Sequence, residues 1–565
     1  MASNSTDTPV LVVGGGLSGL ATALTCALNG RRAIVLEAAD LVGGAAAYSG
    51  GQVWCGDNHV ARREGIEGDS KELTETYIRD VASHLAPEVL DEAALLRWID
   101  TSPAAMKYFE DHGAIRWTVI PGLADYHNEA AGALPQGRYL TNEVIDGSVL
   151  GDWREKLRYS PYFPVGKTYR ELLEKGRRAT YVDESGEEQS ATKRSHAGLP
   201  AFGLSDGTEF EKSATDDPLT YGTGVVAGFL AQVVAHELIE IRTERRVTEL
   251  VTDGAAVVGV RAETPDGVEE LHGPVVLATS TYDWDPELVD EILGLTPEDW
   301  GSVAPETLRG DGIKLARQVG GQIARIPANA TPILPGWRSE VGTGFGYGPE
   351  YAMPHSMIVD RHGNRYCNDS YWVDICRRTL DPDDPHLPFF LVWDDQHRVK
   401  YGLAATPPGG DYPEGWVESA DTLEGLGEKL GVDGDQLART AQRFSEDAEK
   451  GEDPDWGRGS IDYVNKFAGD PGNEPSPVLG PITKAPFHGL RLRFVGTGIG
   501  TSGVRIDGDG RVLDEADQPL EGLYAAGSVA ALTTTGTAYN SGIALGRGLT
   551  LGYLVGHELS GSPIA

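Results

Sequence analysis

A buried apolar run followed at once by a glycine-rich turn constrains this chain more than any other feature of its sequence. Val10–Val13 is predicted to be a buried strand, and the turn at residues 14–19 leads into a helical stretch over residues 20–29. A second strand over residues 32–36 ends at Glu37, about twenty residues after the glycines. This strand, turn, helix and strand have the order and length of a dinucleotide-binding unit, so they predict a Rossmann-like α/β fold.

The three glycines of the turn have different expected roles. Gly14 turns the chain, Gly16 lets the backbone approach a pyrophosphate, and Gly19 permits close packing of the helix on the strand. The N-terminus of the helix then faces the phosphates. Glu37 is expected to accept hydrogen bonds from ribose hydroxyls, and its negative charge disfavours a 2′-phosphate.

A second glycine-rich segment distinguishes a flavin from a nicotinamide dinucleotide. Glycines continue at residues 43–44 and 50–51, as a long flavin lying across the strand ends requires, so FAD is the expected cofactor. No histidine occurs in residues 45–51, which predicts that the flavin is held without a covalent bond. The residues expected to hold it are Gly14, Gly16, Leu17, Ser18, Gly19, Glu37, Gly43, Gly44, Ala45, Ser49, Gly50, Gly51, Val247, Ala278, Gly527, Ile543 and Ala544.

Both ends of the chain are predicted to form this nucleotide-binding domain. A strand running into glycine at 522–528 and a glycine-rich turn opening a helix at 536–553 supply its C-terminal part. The middle of the chain lacks the glycine signature and has helical patterns at 312–320 and 423–450. The expected division is an FAD-binding domain in two parts, 1–286 and 479–565, around an inserted α+β substrate (capping) domain, 287–478. The charged stretch 171–195 indicates no function.

Charge and composition exclude several classes of function. Lys and Arg number 48 against 85 Asp and Glu, and the net charge of −37 argues against nucleic-acid binding. No apolar run of membrane-spanning length and no basic, apolar leader is present, so neither a transmembrane segment nor a signal peptide is expected. Four scattered cysteines favour a reducing compartment, and no cluster has metal-ligand spacing. We therefore expect a cytoplasmic protein without a metal, either free or peripheral to a membrane.

Together these motifs resemble the flavoprotein family of the 3-ketosteroid dehydrogenases, which is distantly related to the fumarate reductase flavoproteins. The resemblance covers nearly the whole chain, and its most specific part is the occurrence of Tyr126, Tyr371 and Tyr539 in family-like surroundings. It implies an FAD-dependent dehydrogenase that introduces a C=C bond next to the ketone of a steroid-like ring. It also implies an external electron acceptor such as a quinone.

The resemblance further implies roles for the site residues. Tyr371 would be the base and Tyr126 its support, while the Tyr539 hydroxyl and the Gly542 amide would stabilise the oxygen of the ketone as it becomes negative. The Tyr-x-Ser arrangement resembles the branch that desaturates between the fourth and fifth ring carbons, with Ser541 as an extra donor.

Three other functions stay open. A desaturase of a small cyclic ketone, of the cyclohexanone type, is suggested because the segment before Tyr371 is shorter than in the steroid enzymes and Trp372 fills space meant for a steroid ring. A fumarate-reductase-like enzyme would need arginine and histidine to grip a carboxylate, and residues 536–546 contain neither. A flavin-binding protein without turnover would not need the three tyrosines.

Overall fold

The computed structural model describes residues 8–85, 89–160, 166–171, 177–182, 188–193, 215–338, 345–404, 406–535 and 539–564. Two segments singled out by the sequence lie partly outside these ranges. They are the charged stretch 171–195 and the start of the turn at 536–553.

A six-stranded sheet joins the two ends of the chain. Its strands lie in the order Ile239–Arg242, Ala33–Leu36, Val10–Val13, Val275–Leu277, Pro519–Ala525 and Arg511–Leu513. The first five are parallel and the last pair is antiparallel. Val10–Val13, Ala33–Leu36 and Val275–Leu277 are fully buried along their length, as expected where helices cover both faces of a parallel sheet.

Two helices from opposite ends of the chain pack together beside this sheet. Leu17–Leu28 follows the glycine turn, and Ile543–Ser560 is the last helix. A Cβ at Gly552 would lie 2.9 Å from the Cβ of Ala21, so the small residue allows the helix axes to come close. The pairing of N-terminal and C-terminal elements gives a mixed α/β architecture.

The middle of the chain forms two further sheets. One contains Trp300–Ser302, Arg493–Gly496, Leu334–Arg338 and Phe345–Tyr347, in that order, and the other contains Ser356–Asp360, Phe389–Asp394, Phe487–Arg491 and Glu418–Ala420. The strands at residues 487–496 pair with strands that lie between residues 300 and 420. These two sheets therefore include strands beyond residue 478, the predicted end of the insertion.

The remaining elements surround these sheets. The other strands are Val53–Trp54, Trp117–Val119, Tyr139–Asn142, Ile145–Asp146, Arg177–Val182, Glu188–Lys193, Pro218–Leu219, Arg246–Asp253, Ala256–Thr264, Gly267–His272, Ile323–Ala324 and Gly503–Val504. The other α-helices are Gly44–Tyr48, His59–Arg63, Lys71–Leu85, Glu92–Asp111, Tyr221–Ala235, Pro286–Leu293, Asp311–Gln318, Trp372–Thr379, Asp395–Tyr401, Leu423–Leu430, Gly434–Ala448 and Asp462–Phe467. Short 3₁₀ segments lie at Gly147–Lys156, Ala328–Ala330 and Pro349–Ala352.

Within the described ranges, no helix combines the length and the apolar character needed to cross a membrane. The same residues contain no group of three or more His, Cys, Asp or Glu side chains that could hold a metal ion.

Candidate active site

A large cavity opens where the parallel strands end. Its walls include Val13 and Gly14 at the end of the first strand, Leu36 and Glu37 at the end of the second, and Ala278 after the strand Val275–Leu277. The space between these walls, counted together with its opening to solvent, is about 1710 Å³. Ligands of open α/β sheets bind at the carboxyl ends of the strands, so this cavity lies where a dinucleotide is expected.

The three glycines of the first turn differ in what surrounds them. Gly14 has φ +115°, and a Cβ there would overlap the carbonyl of Ala278; a Cβ at Gly19 would overlap the carbonyl of Gly14. Gly16 has an ordinary φ of −77° and lines the cavity, and the nearest atom to a Cβ built there is 4.0 Å away. Protein packing therefore requires glycine at Gly14 and Gly19, whereas at Gly16 the space left open belongs to the cavity.

Glu37 lies buried at the rim of the cavity. Its Oε2 accepts a hydrogen bond from the Gly15 amide at 2.8 Å, and its Oε1 accepts one from the Ala39 amide at 2.9 Å. Burial raises the pKa of this carboxyl, and the two amides partly offset that rise. A carboxylate oxygen has more than one lone pair, so each can still accept a ligand hydroxyl.

Most of the residues predicted to hold FAD line this cavity. They are Gly14, Gly16, Leu17, Ser18, Glu37, Gly44, Ala45, Ser49, Gly50, Val247, Ala278, Gly527 and Ala544. The other four do not line the cavity. Gly19 packs against Gly14, and the Gly43 amide donates to the Gly15 carbonyl. Gly51 packs against the Tyr221 backbone, and Ile543 is fully buried.

Three aromatic rings form one end of the cavity. Tyr126, Trp372 and Tyr539 all line it, and their ring centroids lie 5.9–6.4 Å apart in three edge-to-face contacts. Ser541 and Gly542 line the same end. Gly542 has φ +84° and is the N-cap of the last helix, so its amide precedes the turn in which N–H groups lack intrahelical acceptors.

The Tyr126 hydroxyl lies among other hydroxyl groups. It hydrogen-bonds Ser541 and Tyr463, and the rings of Tyr126 and Tyr463 meet edge to face at 4.3 Å. Burial raises the pKa of Tyr126 to about 12, and the bonds to Ser541 and Tyr463 partly oppose this rise. Its partners therefore include Ser541 and Tyr463, whereas the resemblance implied that Tyr126 supports Tyr371.

Among the residues predicted to be catalytic, Tyr371 is the one that does not line the cavity. Its hydroxyl lies 3.2 Å from Nδ1 of His127, and it lines a second depression together with Glu129 and Asp374. Burial raises the pKa of Tyr371 well above its usual value, and the negative charge of Glu129 adds to this rise. The structure thus places Trp372, one residue along the chain, at the cavity wall.

A buried asparagine, which the sequence did not single out, anchors the segment before the last helix. Asn540 Oδ1 accepts hydrogen bonds from the Tyr77 hydroxyl at 2.6 Å and from the Tyr126 amide at 3.1 Å. These bonds tie the segment before the last helix to the segment that carries Tyr126. The position of Asn540 between Tyr539 and Ser541 is the one sequence signal that could have identified it. Tyr463, the partner of the Tyr126 hydroxyl, is marked by no sequence motif.

Comparison with known proteins identifies similar chains along nearly the whole length. A family model described as "FAD binding domain" matches residues 9–545. The chain is 30% identical to the 4-oxocyclohexanecarboxylate 2-dehydrogenase of Sinomonas cyclohexanicum, over 98% of this chain and 92% of that protein. It is 28% identical to the 3-oxosteroid 1-dehydrogenase of Mycolicibacterium smegmatis, over 98% of each chain.

Among solved structures, the fold is similar to that of the 3-ketosteroid delta1-dehydrogenase from Sterolibacterium denitrificans in complex with 1,4-androstadiene-3,17-dione. The TM-score is 0.81 at 23% sequence identity, and the match covers 98% of this chain and 99% of that one. At this identity the similarity establishes a shared fold.

Proposed function

This chain belongs to the FAD binding domain family of flavin-dependent oxidoreductases, and from this membership we propose that it desaturates a ring ketone next to the carbonyl. The matches confirm the family and the FAD cofactor predicted from the glycine motifs. The observation that carries the proposal is the position of Tyr539, Ser541 and the Gly542 amide together at one end of the cavity.

The chemistry requires stabilisation of a negative oxygen. The α-hydrogen of a ketone becomes removable when donors are fixed where the carbonyl oxygen gains charge. We assign this role to the Tyr539 hydroxyl and the Gly542 amide, and the N-terminus of the helix Ile543–Ser560 adds favourable electrostatics there. Bound FAD supplies the hydride acceptor for the β-hydrogen.

The cavity supports Tyr126 as the group that removes the α-proton, whereas the sequence analysis assigned this role to Tyr371. Tyr126 lines the cavity, and hydrogen bonds from Ser541 and Tyr463 can stabilise its phenolate. Tyr371 lies outside the cavity wall, beside the acidic Glu129.

Replacement of the two tyrosines separates these assignments. Tyr126→Phe should retain flavin and lose about 10²- to 10⁴-fold in the rate of flavin reduction by ketone, as for loss of a general base. Tyr371→Phe should lose tenfold or less. With a Tyr126 pKa of about 12, the phenolate fraction and hence the wild-type rate should rise throughout the alkaline range below that pH. Anaerobic stopped-flow measurement of flavin reduction at several pH values gives the rates of both variants and the pH dependence of the wild type. A larger loss of rate in Tyr371→Phe than in Tyr126→Phe would assign the role of base to Tyr371.

We propose a small single-ring ketone as the substrate class. The rings of Tyr126, Trp372 and Tyr539 touch one another, so they bound the cavity closely at the end that carries the ketone donors. The relative from Sinomonas is named for a 4-oxocyclohexane substrate, which supports the same class. A 3-ketosteroid is the second candidate, because the mycobacterial relative is named for a 3-oxosteroid.

Truncation of Trp372 tests the size limit. Trp372→Ala should raise the rate with a 3-ketosteroid, relative to cyclohexanone, by at least about tenfold, since contacts of this size discriminate substrates by roughly 10- to 200-fold. The milder Trp372→Leu should have a ratio of steroid to cyclohexanone rates between those of the wild type and Trp372→Ala. Thermal melting checks that both variants fold. An unchanged ratio of steroid to cyclohexanone rates in both folded variants would show that Trp372 does not limit substrate size.

The deciding experiment is anaerobic bleaching of the oxidised holoenzyme. We expect cyclohexanone to bleach the flavin faster than 4-androstene-3,17-dione does. Fumarate should neither reduce the oxidised flavin nor reoxidise the reduced flavin. If only the steroid bleaches the flavin, the substrate class is a 3-ketosteroid and not a small single-ring ketone. Spectra unchanged by any ketone would overturn the proposed function.

The arrangement of domains and partners is also part of this proposal. We divide the chain into a Rossmann-like FAD-binding domain formed by both ends and an inserted α+β capping domain, whose sheets extend to Gly496. The flavin is held without a covalent bond, and an external acceptor of the quinone type reoxidises it. The four cysteines are free and buried, which supports a reducing compartment such as the cytoplasm.

A further inference from the structure

A histidine outside the cavity wall connects two tyrosines that the sequence analysis grouped together. His127 is 7% exposed and lies beside the aromatic end of the cavity. Its Nε2 is 3.2 Å from the backbone carbonyl oxygen of Tyr539, and its Nδ1 is 3.2 Å from the Tyr371 hydroxyl. The imidazole thus bridges a residue of the cavity wall and a residue of the neighbouring depression.

Hydrogen-bond chemistry determines which ring nitrogen carries the proton. A carbonyl oxygen only accepts, so Nε2 must be the N–H that donates to Tyr539. In the neutral ring Nδ1 is then an acceptor, and the Tyr371 hydroxyl must donate to it. Tyr371 therefore favours the one neutral tautomer of His127 that can hold the Tyr539 backbone.

The segment that contains Tyr539 needs such external bonds. It lies between residues 536–538, outside the described ranges, and Gly542, and it is neither helix nor strand. Asn540 is held through its side chain by the Tyr77 hydroxyl and the Tyr126 amide. The bond from His127 fixes the adjacent residue, whose side chain lines the cavity.

We propose that His127 is a positioning residue for Tyr539, and that Tyr371 acts through His127 rather than on the substrate. This inference rests on the proposed oxyanion role of Tyr539. The bond from Nε2 sets where the Tyr539 hydroxyl meets the developing negative oxygen. A displacement of about 1 Å at such a donor can cost about a hundredfold in rate.

Glutamine and leucine at position 127 make a matched pair of variants. The side-chain amide of glutamine can place an N–H close to the position of Nε2, whereas leucine fills similar space without a donor. In His127→Leu we expect kcat with cyclohexanone to fall about a hundredfold with KM changed little and full flavin content. His127→Gln should recover at least tenfold of that loss. Tyr371→Phe should lower kcat tenfold or less, because the Tyr539 carbonyl itself still favours the Nε2–H tautomer.

Binding of a phenol separates this inference from the proposed reaction. A 4-nitrophenolate oxygen carries the charge that the ketone oxygen develops, and its binding perturbs the visible spectrum of oxidised flavin without any turnover. The dissociation constant should increase in His127→Leu and return towards the wild-type value in His127→Gln.

The outcomes are distinct. Equal kcat and equal phenolate affinity in wild type and a folded His127→Leu would overturn the inference, as would a glutamine variant no better than leucine. If His127→Leu does not fold, as judged by thermal melting, a Tyr371→Phe variant with phenolate affinity and kcat lowered by more than a hundredfold would also overturn it. Failure of every ketone to bleach the wild-type flavin rejects the proposed function instead, and phenolate binding still reports on His127.

Discussion

Tyr539→Phe is expected to lower the rate of flavin reduction by ketone about a hundredfold to a thousandfold while flavin content and fold are retained. The change removes one hydroxyl donor from the end of the cavity, and loss of one such donor to a developing oxyanion typically has this cost. The phenylalanine ring keeps the edge-to-face contacts with Tyr126 and Trp372. The effect should therefore appear in kcat, measured by anaerobic stopped-flow reduction.

A matched control is Tyr401→Phe, which removes a buried tyrosine hydroxyl that donates a hydrogen bond to Asp470 and does not line the cavity. This variant should reduce its flavin at nearly the wild-type rate, although it loses some stability. A Tyr539→Phe rate close to that of Tyr401→Phe would show that the ketone oxygen lies elsewhere. Ser541→Ala is then the companion variant, because Ser541 lines the same end of the cavity.

Gly16→Val should strongly lower the amount of FAD that copurifies, without preventing folding. The position has an ordinary φ and no protein atom nearer than 4.0 Å to a Cβ, so the new side chain enters the cavity. Overpacking of this kind typically costs about 1–3 kcal/mol, so FAD affinity should fall about 5- to 160-fold. Flavin fluorescence after acid precipitation and titration of the apoprotein with FAD measure the loss.

Two further glycine variants serve as controls for the loss of FAD binding in Gly16→Val. Gly16→Ala should weaken FAD binding less than valine does, and Gly508→Ala, at a position with van der Waals room for a Cβ, should leave flavin content unchanged. Normal flavin content in a folded Gly16→Val protein would remove this turn from the cofactor site.

Much of the local structure of the nucleotide-binding part could be predicted from the sequence. The strand Val10–Val13 was predicted with its observed bounds, and the helix after the glycines begins three residues earlier than predicted, at Leu17. The helical pattern at 423–450 is observed as two helices. Gly431 adopts a left-handed conformation at φ +75°, which ends the first helix, and Asp433 caps the second.

The pairing of strands distant in sequence was harder to predict. The strands Phe487–Arg491 and Arg493–Gly496 carry no local mark that indicates their partners, and they lie beyond residue 478, the predicted end of the insertion. Their partners include Phe389–Asp394 and Leu334–Arg338 and lie as far away as Trp300–Ser302. Local periodicity indicates that a segment is a strand, but it does not say which edge the strand joins.

The family, the dinucleotide turn and the tyrosines worth testing could be inferred from residue types at fixed local spacing. Which residue at the start of the helix Trp372–Thr379 faces the cavity depends instead on tertiary contacts. Tyr371 is the extended N-cap residue, with φ −119° and ψ 106°, and Trp372 is the first helical residue. Packing against Tyr126 and Tyr539 brings Trp372 to the wall, whereas Tyr371 lies against His127. That choice depends on contacts between segments more than 150 residues apart, which no local pattern records.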